Sequence, residues 1–330
     1  MQTITANKND AGQRLDKFLA KYMTQAPKSF FYKMLRKKNI VLNGKKAAGN
    51  EILAVGDEIR LFLSDETIEK FRAKEQASYP VPDLSILYED EHIALINKPA
   101  GMLSQKADDD TPSLVEYFIG YLISSGQLKE AELSRFKPSV CNRLDRNTSG
   151  IVAAGKTLSG LQNLSELFRE RTLDKYYYAF VKGRLEKGAH IHGILKKDHG
   201  KNQVMIQICD EKSAKGQEGY IETSYEPVAQ TPYMTLLKVK LITGKTHQIR
   251  SHLASIGHPI AGDRKYGDRK TNQFYEKKYG LKDQMLHACE LHFPEKGIPE
   301  SLQYLSGQTF QAPIPAWYRA VLDGEGIKEI

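Results

Sequence analysis

A carboxylate stands between two arginines in Asn142-Arg143-Leu144-Asp145-Arg146-Asn147-Thr148-Ser149-Gly150. Opposite charges within a few ångströms favour the ionised carboxylate and depress its pKa. Asn147, Thr148, Ser149 and Gly150 supply turn-forming groups that would fix the loop. An ionised, fixed carboxylate serves as a nucleophile or a base. The same residues also suit a structural ion pair that merely holds a turn. Taken alone, the segment leaves both readings open.

A second concentration of chemistry lies near the N-terminus. From Lys28 to Lys46 there are seven basic residues, Lys28, Lys33, Arg36, Lys37, Lys38, Lys45 and Lys46, and no acid. Phe30, Phe31 and Tyr32 sit among them. Ordinary exposed helices mix both signs of charge, so a run without acids points to a face turned toward phosphates. A solvated helix face is the competing reading. Other chemistries find no support. His247, His252 and His258 lack H-E-x-x-H spacing and have no cysteine beside them, so no metal site is expected. Gly244-Lys245-Thr246 lacks the upstream glycine of a phosphate-binding loop.

Composition agrees with a nucleic-acid partner. The net charge is +8 and the pI about 9.1, a surplus that suits a polyanion, either nucleic acid or an anionic membrane surface. The membrane reading is disfavoured: the polar start MQTITANKND predicts no signal peptide, and no apolar run is long enough to span a bilayer. Cys141, Cys209 and Cys289 are odd in number and far apart. They are expected to be reduced, buried and small, in a cytoplasmic protein.

These residues need elements to position them. With 330 residues, 40% hydrophobic and 27% charged, the chain has room for two domains with real cores. Residues 1–10 are expected to be a flexible tail. Residues 11–63 form a small domain. Its first helix carries Leu15, Phe18, Leu19 and Tyr22 at i, i+3, i+4, i+7. Its second starts near Ser29, a good N-cap, and buries Phe31, Met34 and Leu35. The strand Ile40-Val41-Leu42 then meets Asn43-Gly44, a tight-turn signal. Residues 64–83 are polar, end in two prolines and lack periodicity, and they read as a linker. Residues 84–325 are strand-rich, with runs at Ile86–Tyr88, Ile93–Asn97, Ile151–Ala154, Tyr176–Val181, Val204–Ile208 and Met234–Leu241. Helical patterns lie around 111–124, 159–171 and 246–256. The irregular alternation predicts an α+β fold with a mixed or antiparallel sheet.

Two resemblances enter on these residues. Ala11-Gly12-Gln13-Arg14-Leu15-Asp16-Lys17-Phe18-Leu19, then Lys28–Lys38, then Ile40–Lys45 resembles the S4 RNA-binding domain, a small α-L fold. Arg143-Leu144-Asp145-x-x-Thr148-Ser149-Gly150 resembles the R-L-D-x-x-T-S-G motif of the RluA-type pseudouridine synthases. Three further segments agree in family order. They are Asn97-Lys98-Pro99-Ala100-Gly101, the alternating Lys175-x-Tyr177-x-Ala179-x-Val181-x-Gly183, and the stretch from Thr243-Gly244-Lys245-Thr246-His247-Gln248-Ile249-Arg250 to Gly262-Asp263. The sequence departs from the family pattern at Asn142 (usually His), at Lys245 (usually Arg), and at Leu103-Ser104-Gln105, where V-H-P is common.

The resemblance implies an isomerase that converts uridine to pseudouridine in structured RNA, with no cofactor. It implies Asp145 as the catalytic carboxylate, Arg250 as its partner and Tyr177 as the ring against the base. It assigns substrate contacts to Arg143, Lys98, Thr148, Lys245, His247 and Gln248. The S4-like resemblance assigns RNA contacts to Arg14, Lys33, Arg36, Lys37, Lys38 and Lys45. Large-subunit ribosomal RNA is the favoured partner and a monomer the favoured state, with transfer RNA as the alternative target. A non-catalytic RNA-binding assembly factor is the alternative of another class; it would have no need of Asp145, Tyr177 and Arg250 together.

Overall fold

The computed structural model describes residues 1–72, 79–81, 83–106, 111–198 and 203–329. A small unit opens the chain. Its elements are β1 (Gln2–Thr5), α1 (Leu15–Tyr22), α2 (Lys28–Arg36), β2 (Ile40–Leu42), β3 (Lys45–Lys46), β4 (Glu58–Leu61) and α3 (Asp65–Phe71). The four strands run in the order β1-β4-β2-β3. Leu15, Phe18, Leu19 and Tyr22 are all buried, because their spacing puts them on one face of α1. Phe31, Met34 and Leu35 bury the matching face of α2. Asn43 and Gly44, with φ of 51° and 72°, close the two-residue turn between β2 and β3.

Three expectations need correction. Residues 1–10 are not a free tail: β1 pairs with β4 from Gln2↔Leu61 to Thr5↔Glu58, and Ile4, Ala6 and Asp10 are buried. α2 starts one residue before Ser29, and its N-cap position is Pro27, with no side-chain cap. The first part of the linker is helical. Ser64 Oγ accepts from Thr67 N at 3.3 Å and starts α3, whose Ile68 is buried in the small unit's core. Residues 73–78 and 82 of that segment lie outside the described residues.

The larger unit holds β5 (Ile86–Glu89), β6 (Ile93–Lys98), α4 (Leu114–Ser124), β7 (Ser139–Val140), β8 (Ser149–Gly155), α5 (Leu158–Arg169) and β9 (Asp174–Lys182). It continues with β10 (Ala189–Asp198), β11 (Gln203–Ile208), α6 (Glu211–Ala214), β12 (Tyr220–Gln230), β13 (Met234–Leu241) and α7 (Gln248–Ser255). It ends with α8 (Arg269–Tyr279), β14 (Leu286–His292), β15 (Thr309–Gln311) and α9 (Ala316–Gly324). An 11-stranded sheet runs β11-β10-β12-β13-β9-β14-β8-β6-β5, with β15 on β14 and β7 on β8. Only β8 and β14 pair in parallel among the described strands, so the sheet is mixed and the fold α+β.

The centre of this sheet is buried on both faces, and all seven residues of β8 are buried. Gly150 has φ +112°, and a Cβ there would collide with the Ala288 backbone of β14. A glycine therefore has to follow Ser149 where the chain enters β8. Contacts between the units come from the loop after β1. Asn9 Oδ1 accepts from Leu158 N at 3.3 Å, and Asp10 lies 3.5 Å from Arg135. Among the cysteines only Cys289 is buried; Cys141 and Cys209 are partly exposed, which corrects the expectation for two of the three.

Candidate active site

The carboxylate loop runs from β7 to β8, and a second loop, after β6, holds it from behind. Lys98 ends β6 and is fully buried. Its Nζ donates to Pro99 O and Met102 O at 2.9 Å and to Arg146 O at 3.1 Å. Three carbonyls match the three hydrogens of an ammonium. Ser104 Oγ donates to Leu144 O at 2.8 Å and accepts from Leu144 N at 3.0 Å. Gly101 N donates to Arg146 O, and Arg146 Nε donates to Gly101 O at 3.0 Å. At the base of the loop, Asn142 Oδ1 accepts from Ala153 N at 2.8 Å. The two motif segments are therefore one structure, with Asp145 at its tip.

Burial pulls the Lys98 pKa down to about 7, against the opposing charges of Asp145 and Asp283. The structure places Lys98 behind the loop, which corrects the substrate contact expected of it. Lys98→Met should leave the Pro99 and Met102 carbonyls without a donor, Arg146 O keeping Gly101 N, and destabilise the fold by on the order of 3 kcal/mol. Urea unfolding measures this; an unchanged midpoint would show that the loop does not depend on Lys98.

Thr148 and Gln248 are corrected in the same way. Thr148 is buried, its N donates to Asp145 O, and its Oγ1 accepts from Gln284 Nε2 at 2.6 Å. Gln248 is buried; its Oε1 accepts from Thr243 Oγ1 at 2.8 Å and Lys245 N at 3.0 Å. Its Nε2 donates to Glu222 O at 2.9 Å. Both fix loops and neither lines the cleft.

The partner of Asp145 is neither flanking arginine. Arg146 is spent on Gly101 O, and Arg143 is exposed on the cleft wall. Arg250 of α7, 105 residues on, donates from Nη1 to Asp145 Oδ2 at 2.7 Å. The same guanidinium is clamped by Asp263: Nε donates to Oδ2 at 2.7 Å and Nη2 to Oδ1 at 2.9 Å. Asp263 is buried and also accepts from Lys265 N and Tyr266 N. Burial alone would raise the Asp263 pKa; the Arg250 hydrogen bonds and charge outweigh it and hold the carboxyl below its ordinary value. Burial also weakens the Arg250 cation, but Asp263 and Asp145 raise its pKa above the ordinary arginine value.

His247 occupies the N-cap of α7 with φ 55° and is not a helical residue, so the expected helix from 246 begins two residues late. Its Nε2 lies 4.0 Å from Asp145 Oδ1, and its Nδ1 is 3.0 Å from the Tyr266 hydroxyl. Tyr266 also lies under Arg250, whose Cζ is 5.3 Å from the ring centroid. Burial holds the His247 imidazole below its ordinary pKa.

Tyr177 comes from β9, buried, with its side chain on the cleft. Burial and the nearby charge of Asp145 raise its pKa, so the phenol keeps its proton. Tyr176 points the other way and lies beneath Lys238 and Lys240. The cleft encloses about 970 Å³. Its lining holds eight basic residues and one acid, Asp145. Arg143, Lys245 and His247, to which the resemblance assigns substrate contacts, are among its lining residues.

Arg169, Arg171 and Lys265 line it without having been singled out in the sequence, and Lys175, quoted in the strand motif but given no role, lines it too. Asp263 closes the quoted Gly262-Asp263 motif, which was the only signal for its role. Lys33, Arg36, Lys37, Lys38 and Lys45 are exposed on the small unit, and Arg14 is paired with Asp16 at 2.9 Å.

Comparison with known proteins gives one consistent result. The sequence model of the RNA pseudouridylate synthase family matches residues 92–255. "Ribosomal large subunit pseudouridine synthase C" of Vibrio vulnificus is 31% identical over 312 residues, covering 92% of this chain and 91% of that protein. The protein of the same name from Salmonella typhimurium is 32% identical, covering 89% of each chain. Among solved structures, human RNA Pseudouridylate Synthase Domain Containing 4 shares 21% identity with a TM-score of 0.54, over 72% of this chain and 92% of its own. Human RNA Pseudouridylate Synthase Domain Containing 1 gives 20% and 0.53, over 73% and 87%.

Proposed function

The chain belongs to the RNA pseudouridylate synthase family, and from that premise we propose that it converts uridines of large-subunit ribosomal RNA to pseudouridine, with Asp145 as the catalytic carboxylate. The ribosomal target rests on the name of the relatives that match nearly the whole chain. The observation that carries the site is the chain of contacts from Asp145 through Arg250 to Asp263, at the wall of a cationic cleft.

The reaction is an isomerisation: the glycosidic bond breaks, the uracil turns and the ring rejoins through carbon. A carboxylate can begin it at the sugar carbon, at the base, or by taking a sugar proton. Each of these needs the carboxylate in place, and Arg250 Nη1 fixes it with a hydrogen bond to Asp145 Oδ2. A stacked, paired uridine hides the reacting atoms, so the nucleotide has to be flipped into the cleft. There Tyr177 offers its ring to the uracil, while Arg143 and Lys245 offer charge to the flanking phosphates. Substrate and product are isomers, so the chemistry calls for no redox or nucleotide cofactor. The state proposed is a monomer, with Asp145, Tyr177 and Arg250 supplied by the same chain. No helix among the described residues is long and apolar enough to cross a membrane; a ribosomal substrate puts the enzyme in the cytoplasm. Tritium released from RNA labelled at uridine C5 measures the reaction directly, and its absence with ribosomal RNA as substrate would defeat this proposal.

The small unit, S4-like in sequence, supplies affinity in this account. Its helix α2 carries Lys33 and Arg36, and Lys37 and Lys38 follow at its C-terminal end, all four exposed. Each contact that neutralises a phosphate releases counterions on binding. Replacing these four by alanine in the full chain should flatten the plot of log affinity against log salt by roughly 3. Turnover at saturating RNA should change little. Equal slopes would mean that the helix is only a solvated face.

A further inference from the structure

We propose that His190, His192 and Glu222 bind one divalent transition-metal ion of the zinc class, outside the catalytic cleft. Among the described residues these three form the one group of histidine, cysteine or carboxylate side chains able to hold a metal; their ligand atoms lie within 4.8 Å of one another. None of the three lines the cleft.

The topology builds the group. His190 and His192 alternate along β10 and therefore share a face. Glu222 of β12 stands directly opposite His192 in the antiparallel register, and Tyr220 lies two residues before it on the same face. The His190 Nε2 is 2.7 Å from Glu222 Oε1, and the two imidazole centroids are 4.5 Å apart. Zinc–nitrogen and zinc–oxygen bonds of about 2.1 Å put tetrahedral ligands about 3.3 Å apart. The cluster needs only a small opening to admit the ion.

The hydrogen bonds around the cluster prepare it. The Tyr220 hydroxyl donates to Glu222 Oε2 at 3.0 Å and lies 2.9 Å from His192 Nδ1. It has one hydrogen, and that goes to the carboxylate. His192 Nδ1 must then be the donor to the Tyr220 oxygen, which leaves Nε2 of the neutral ring with a free lone pair. Metal-binding histidines are oriented in this manner, by donating their other N–H to an outer group. The same tyrosine fixes Glu222 through Oε2 and leaves Oε1 for the ion. Two imidazoles and one carboxylate suit zinc and its neighbours better than magnesium or calcium, which take oxygen ligands. His190 is half-exposed, so a water can complete the coordination.

The ion would brace a strand that supports the active site. Glu222 N donates to Thr243 Oγ1 at 2.9 Å, and Glu222 O accepts from Gln248 Nε2. These bonds tie β12 to the turn before α7, the helix that carries Arg250.

Untagged full-length protein titrated with Zn²⁺ against a chromophoric chelator tests this. One ion per chain should bind, and the melting temperature should rise with zinc. The double substitution His190→Ala/His192→Ala should remove the site and the thermal shift. Tyr220→Phe should keep all three ligands yet weaken binding by about 10- to 100-fold. X-ray absorption of the zinc-loaded protein should show nitrogen and oxygen ligands with imidazole scattering and no sulfur. Equal zinc affinity in wild type and double variant, no binding at all, or sulfur in the coordination shell would each overturn the proposal.

Discussion

Asp145→Asn should leave a folded RNA-binding protein with no turnover. The amide keeps the size of the side chain and an oxygen that can still accept from Arg250 Nη1, now 2.7 Å from Oδ2. Arg250 keeps its two bonds to Asp263, so no buried charge is stranded. The loop is held by Lys98, Ser104 and Asn142, none of which touches the Asp145 carboxylate. What disappears is the charged group able to attack or to take a proton. Loss of such a group lowers turnover by at least about 10⁴-fold. RNA affinity should hold or rise slightly, because the cleft loses its single lining acid. Tritium release and filter binding on the same RNA separate the two quantities. Near-wild-type activity in this variant would remove Asp145 from the chemistry.

Arg250→Ala should lose both activity and stability, and Arg250→Lys less of each. Alanine strands the buried Asp263 without its bidentate partner. Breaking a buried pair from one side costs about 3–5 kcal/mol. Lysine restores the charge but not the planar fork that meets two carboxylates at once. Turnover should therefore fall on the order of 10³-fold with alanine and roughly tenfold less with lysine. Asp263 also predicts a pH dependence. Its folded pKa is held below the unfolded value, so its stabilisation is present above about pH 4 and is lost as pH falls through the folded value. That acid-side loss should shrink in Arg250→Ala. Adding Asp263→Ala to Arg250→Ala should return much of the stability and none of the activity. Recovered turnover in the double variant would mean that Arg250 acts only through the fold.

Local pattern made part of this legible from sequence alone. α1 and β13 declare themselves because every apolar position faces one core. β10 and β12 do not: β10 mixes His, Lys and Asp among its apolar residues, β12 mixes Glu, Thr and Ser, and β11 and α6 stand between them in sequence. β1 holds one buried residue, Ile4, and finds its partner more than fifty positions away. α8 buries Tyr275 alone, so it has no stripe to read.

The site divides along the same line. Asp145 stands out by its neighbours in sequence, but those neighbours are not its partners. The contact to Arg250 is non-local, and its second support, Asp263, works only because β and α segments converge. Lys98 misleads for a related reason: a lysine suggests an exposed charge, while here three carbonyls hold it inside.

Mapping pseudouridine across the ribosomal RNA of cells that lack this protein tests the central claim most directly. The deletion strain should lose pseudouridine at one or a few large-subunit positions. A plasmid copy of the wild-type gene should restore them, and the Asp145→Asn copy, expressed to the same level, should not. An unchanged map in the deletion strain, or full restoration by Asp145→Asn, would contradict the account.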